Sequence, residues 1–165
     1  MARRPALALA ALLLAPTVAA AVDLRRVDPR ALVLRDPLAS AEVKHLVREA
    51  SPGVGVDRAA VDRGDLTGDG RPDLLVPVTS GPAGGIVAYY VYAEKDGKVR
   101  DILPVNAVYR ARVALRARRL VEDLPIYRRT DPGCCPSAVQ TTVYRWDGAG
   151  LDVQARSRHA VRARG

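Results

Sequence analysis

The segment Asp65-Leu-Thr-Gly-Asp-Gly-Arg-Pro-Asp73 gathers oxygen donors at a spacing that suits a divalent cation. Asp65, Thr67 and Asp69 alternate, Gly70 follows, and Asp73 closes the run. Alternate side chains in a tight loop converge on one point, and calcium takes six to eight oxygens. Gly70 permits the sharp turn, and the Arg71 carbonyl adds a further oxygen. Thr67 brings a hydroxyl where a carboxylate would bind harder, so any calcium here is expected to be weak, at about 10⁻⁴–10⁻³ M. A competing reading needs no metal: the Asp side chains accept from nearby backbone N–H groups in a β-turn. Spacing alone leaves both readings open.

Cys134 and Cys135 are the only cysteines, adjacent in Gly133-Cys-Cys-Pro136. In an oxidising compartment the one intramolecular bridge open to them is a vicinal disulfide. Consecutive Cα atoms lie about 3.8 Å apart, below the usual disulfide span of roughly 4.4–6.8 Å, so such a ring is strained and more reducible. A static ring stapling a turn is the first expectation, a thiol–disulfide redox sensor or oxidoreductase the alternative. Metal binding ranks third, because adjacent thiols chelate poorly and His45 and His159 are the only histidines.

Catalysis needs a nucleophile with a base, a paired acid and base, or an open metal site. The chain has no Gly-x-Ser-x-Gly elbow and no His-x-x-x-His pair, and Ser80 and Ser137 have no evident base. Gly81 to Gly85 reads as a hairpin connection, being too short for a phosphate loop. No catalytic residue is nominated, and a non-enzymatic binding or structural module is expected.

Charge points to a partner. The 165 residues carry a formal net charge of +8, and Arg outnumbers Lys 23 to 3. Residues 22–99 hold 11 Lys+Arg against 12 Asp+Glu, whereas residues 100–165 hold 13 Arg against 6 Asp+Glu. One reading is compositional bias on a solvated face. The functional reading is contact with an anionic envelope component or a protein partner, with Arg110, Arg112, Arg116 and Arg118 as the contact residues. Nucleic acid is not expected, since no interleaved aromatics offer a stacking platform.

These residues need elements to hold them. Ser40 to Ala50 reads as one short helix capped by Ser40, with Val43, Leu46 and Val47 as its apolar stripe. Strands are expected near 56–61, 74–79 and 86–94, with Asp96-Gly97 turning into 98–105. Tyr109 to Ala117 alternates apolar with Arg, which reads as a strand despite fair helix propensity. A turn near Arg118 returns it as 120–127, and 139–146 with 151–155 makes a closing hairpin. The expected fold is α+β: one N-terminal helix packed on an antiparallel, meander-like sheet of about six to eight strands.

Residues 1–21 read as a secretory signal peptide, with Arg3 and Arg4, an apolar core from Ala6 to Ala15, and Ala19 and Ala21 at the cleavage site. The apolar run is too short to span a bilayer, which takes about 20 residues. Residues 22–39 are expected to be an extended lead-in, 40–155 a single domain, and 156–165 a basic, frayed tail. The expected location is secreted, periplasmic or envelope.

Three segments together resemble the LppP/LprE-type bacterial lipoproteins: Gly64 to Val76 with the acidic loop, Ala88-Tyr-Tyr-Val-Tyr92, and Cys134-Cys-Pro-Ser137 followed by Tyr144-Arg-Trp-Asp-Gly148. The acidic loop is similar to the Asp-x-Asn-x-Asp-Gly-x-x-Asp loops of FG-GAP-type repeats, and it departs from an EF-hand at Val76. The resemblance implies a place in the cell envelope more than an activity. The chain departs from the family pattern in having no lipobox Cys near the cleavage site.

Overall fold

The computed structural model describes residues 22–49 and 51–161. The expected signal peptide, Ala50 at the end of the expected helix and the last four residues of the expected tail lie outside the described residues. Two short helices, α1 (Pro29–Arg35) and α2 (Ala41–Arg48), precede nine strands. These are β1 (Val54–Val56), β2 (Asp62–Gly64), β3 (Asp73–Ser80), β4 (Ile86–Lys95), β5 (Lys98–Val105), β6 (Arg112–Arg116), β7 (Arg119–Ile126), β8 (Ala138–Trp146) and β9 (Leu151–Ala160). They form two antiparallel sheets. The first has the order β1-β3-β4-β5, with β2 also pairing to β3; the second is the meander β6-β7-β8-β9.

The expectation of one helix on one sheet is therefore wrong. The fold is mostly antiparallel β, with two sheets and two small helices. The reason lies in the apolar runs of β3 and β4, which have no polar face. Leu74, Val76, Val78, Tyr90 and Tyr92 pack under the helices with Val33, Val43 and Val47. Leu75, Tyr89 and Val91 point the other way and need a second cover. The second sheet supplies it through Val113, Leu115, Leu120, Tyr144 and Leu151.

Helix α1 falls inside the expected extended lead-in. Asp28 caps it, its Oδ1 accepting from the Arg30 N–H, and Pro29 stands in the first turn. Proline there starts a helix instead of breaking one, because its missing N–H has no partner in the first turn. Ser40 caps α2 as expected, through the Val43 N–H. Asn106 clasps this layer to the sheet: its Oδ1 accepts from the Ser40 N–H at 2.6 Å and the Tyr90 hydroxyl at 2.7 Å.

Residues 56–61 divide into the end of β1 and a short 3₁₀ turn at Arg58–Ala60. Strands β1 and β2 share one edge of β3, pairing with residues 78–80 and 73–75. Pro77 sits where they part, the one stretch of that edge with no ladder to interrupt.

The hairpin turns differ. Asp96-Gly97, φ 55° and 74°, is the expected tight turn. The β6–β7 turn, Ala117-Arg118, has the same left-handed geometry at φ 47° and 61° with no glycine. Holding a residue with a Cβ there costs about 1–2 kcal/mol. Strand β9 runs to Ala160, five residues into the expected tail, paired along its length with β8.

Candidate anion-binding face and the loops that frame it

The acidic loop lies between β2 and β3, and its carboxylates are turned onto its own backbone. Asp73 is 2% exposed. Its Oδ2 accepts from the N–H groups of Leu66 and Thr67 at 2.8 and 2.7 Å, and its Oδ1 from the Thr67 hydroxyl at 3.4 Å. Asp65 accepts from the Gly68 and Gly70 N–H groups. Asp69 accepts from the Arg71 N–H at 2.8 Å and pairs with the Arg71 side chain, which also reaches the buried Glu94. Burial pushes the Asp73 carboxyl above its usual range, against the pull of the Thr67 and Leu66 N–H groups. Among the described residues, no three His, Cys, Asp or Glu side chains stand close enough together to hold a metal.

Cys134 and Cys135 are bonded to each other, with Cα atoms 3.8 Å apart. The ring is exposed, and the surrounding loop is fastened at several points. Gly133 O accepts from the Arg110 guanidinium and, at 3.1 Å, from the Tyr127 hydroxyl. Asp131 accepts from the Ser137 hydroxyl at 2.7 Å and from the N–H groups of Arg128 and Ser137. The Ser137 bond, foremost among these contacts, holds the Asp131 carboxyl below its usual range. Beside the ring a cleft of about 440 Å³ opens, walled by Arg112, Asp123, Tyr127 and Cys134.

The four expected contact arginines are not one stripe. Arg110 precedes β6 with φ 52°. Its guanidinium donates to Gly133 O and to Ala83 O, the latter at 2.7 Å, joining the cysteine loop to the β3–β4 loop. Gly85 permits this approach, since a Cβ there would stand 3.3 Å from the Arg110 Cα. Arg112 and Arg116 project from the outer face of β6, away from the core. Arg118 occupies the turn, its guanidinium against Gly68 of the acidic loop where a Cβ would overlap it.

Two further basic residues join them. Arg116 is the ladder partner of Arg119, and the β7–β8 register, Leu120 opposite Tyr144, places Arg145 on the other side of Arg119. Arg118, Arg119, Arg145 and Trp146 line a recess of about 180 Å³ beside Thr67. Sequence reasoning passed over Arg119, Arg145 and Trp146. A turn at 117–118 does imply the pairing of 116 with 119, but the neighbour across β8 depends on a register set at a distance.

The chain is 36% identical over 126 residues to a Streptomyces coelicolor protein named Lipoprotein CseA, an alignment covering 73% of this chain and 52% of that protein. It is 32% identical over 147 residues to the Streptomyces avermitilis protein of the same name, covering 86% and 64%. The chain is thus similar to two Streptomyces proteins named as lipoproteins. It spans between half and two thirds of the length of these curated relatives. No family model matches it, and no solved structure does.

Proposed function

We propose that this is an exported cell-envelope domain without catalytic activity, which holds an anionic envelope component against the outer face of the second sheet. The observation that carries this reading is the asymmetry of that sheet. Its inner face is spent on the core, while among the described residues its outer face has no covering layer and presents Arg112, Arg116, Arg119 and Arg145, with Asp123 opposite Arg112 and Asp152 opposite Arg145, around half-buried Val121, Val139 and Val143. An open face on which positive charge is in excess attracts polyanions over several ångströms, an attraction that weakens with salt. The lipoprotein relatives support the envelope location.

The fastened cysteine loop supports a static ring over a redox sensor, because Gly133 and Asp131 are held by groups that do not depend on the sulfur atoms. The acidic loop serves in this reading as a backbone brace, with its carboxylates satisfied by N–H groups.

The test is co-sedimentation of residues 22–165 with washed envelope fragments at rising salt, wild type against the Arg112→Ala/Arg116→Ala variant. Recovery that falls with salt and falls further in the variant supports the reading. Equal recovery at every salt concentration overturns it.

A further inference from the structure

We propose that the recess formed by Arg118, Arg119, Arg145 and Trp146 is a binding site for a phosphoryl group. The proposal rests on the anion-binding reading above and names the site and the ligand chemistry.

The arrangement is costly in the empty protein. Arg116, Arg119 and Arg145 stand side by side across three neighbouring strands, where like charges directly opposite one another in a ladder repel, and Asp152 on β9, opposite Arg145, relieves the row at one end only. Among the described residues, none of these three nor Arg118 is in an ion pair. No carboxylate lines the recess. The turn that delivers Arg118 is built from two residues with side chains in the left-handed region, where Asp96-Gly97 shows what an unconstrained turn in this chain uses. Strain of this kind gathers where a side chain must be aimed.

The chemistry selects among anions. Three guanidinium groups from two hairpins approach one recess of about 180 Å³. Guanidinium forks match the oxygens of phosphate, and their three positive charges are better met by a phosphate than by the single charge of a carboxylate. Trp146 adds a flat apolar wall for whatever carries the phosphate. The exposed mouth suits a group presented from a larger molecule, and two sources share this chemistry: a phospholipid headgroup and a soluble phosphate ester.

Trp146 is the only tryptophan, so its fluorescence reports on this recess alone. The experiment titrates the protein with inorganic phosphate against chloride at matched ionic strength. A saturable fluorescence change is expected with phosphate only. Arg119→Ala and Arg145→Ala should each weaken it by about tenfold or more, as loss of a charge-assisted hydrogen bond implies. Arg100→Ala, exposed on β5 of the first sheet, should leave it unchanged. Competition by phosphatidylglycerol vesicles but not phosphatidylcholine vesicles assigns the headgroup source. Competition by glycerol phosphate alone assigns the soluble one. Absence of saturation, or saturation that the Arg119 and Arg145 variants retain, overturns the site. If envelope binding through Arg112 and Arg116 persists in that case, only the site fails; if it is absent too, the parent reading fails with it. Because both substituted arginines are exposed, an unchanged urea midpoint verifies that the variants fold.

Discussion

The two sheets are built from the same kind of antiparallel hairpin, yet they treat water in opposite ways. In the first, β3 and β4 are buried on both faces, one under the helices and one under the second sheet. In the second, only the inner face is dry, and nine of the ten residues of β9 are exposed. The lesson is a division of labour. A sheet enclosed on both sides supplies stability and tolerates little change. A sheet enclosed on one side has a free face on which charge can be arranged without cost to the core.

The largest test of this contrast is Leu75→Ala, at the interface of the sheets and fully buried. It should cost about 2–5 kcal/mol in urea denaturation, since the cavity cannot collapse between two sheets. A cost near zero would mean the layers are not packed as described. Next is Tyr89→Phe. The Tyr89 hydroxyl donates to Glu122 Oε1 at 2.7 Å, and Tyr144 donates to Oε2 at 3.2 Å, in a polar knot buried between the sheets. Losing a hydrogen bond to a buried carboxylate should cost about 1.5–3 kcal/mol by the same measurement.

A third test uses pH on the helix side of the first sheet. Asp101 on β5 has its carboxyl pushed up to about 8, by burial first and then by Asp36 beside it. Asp36 accepts from the Tyr92 hydroxyl at 2.9 Å, and Arg35, Tyr90 and Tyr92 are the other ionisable groups at hand. The folded state therefore holds a proton that the unfolded chain releases near pH 4. Stability contributed by this group is complete below pH 4 and is lost as the pH climbs to about 8. Urea midpoints measured across that window should fall for the wild type, and the Asp101→Asn variant should show a shallower fall. Parallel curves would remove Asp101 as the cause.

Smaller effects belong to the open sheet. Val153→Ala on β9 should change stability by no more than about 0.5 kcal/mol, in keeping with a side chain 48% exposed. Last is the acidic loop, where the expected effect is nil. Thermal melts in millimolar calcium and in chelator should coincide, because the Asp65, Asp69 and Asp73 carboxylates are already occupied by N–H groups. A rise in melting temperature with calcium that Asp69→Ala abolishes would favour the metal reading.

Much of the second half was legible from alternation. A strand inside Tyr109–Ala117, the turn near Arg118 and the closing hairpin follow from period-two patterning, although the strand is only Arg112–Arg116, since Arg110 and Ala117 take left-handed φ, and the hairpin runs on to Ala160. The first half was less so. Asp28-Pro29 carried a helix start that reads equally well as extended chain, and the apolar runs of β3 and β4 do not by themselves name what covers them. Of the candidate site, Arg116 and Arg118 could be picked out as basic residues on a strand and its turn. Arg110 could not be told apart from them, although it fastens two loops.

The amino-acid sequence by itself determined the approximate places of strands β3 to β9, the Asp-Gly turn, the adjacent cysteine pair and the excess of Arg in residues 100–165, because each depends on neighbours a few residues away. Only the tertiary structure decided that there are two sheets, that the acidic carboxylates face their own backbone, and that Arg118, Arg119 and Arg145 share one recess. Those outcomes depend on strand register and layer packing. Register is fixed by which faces must be buried, and that is settled only when both sheets are in place.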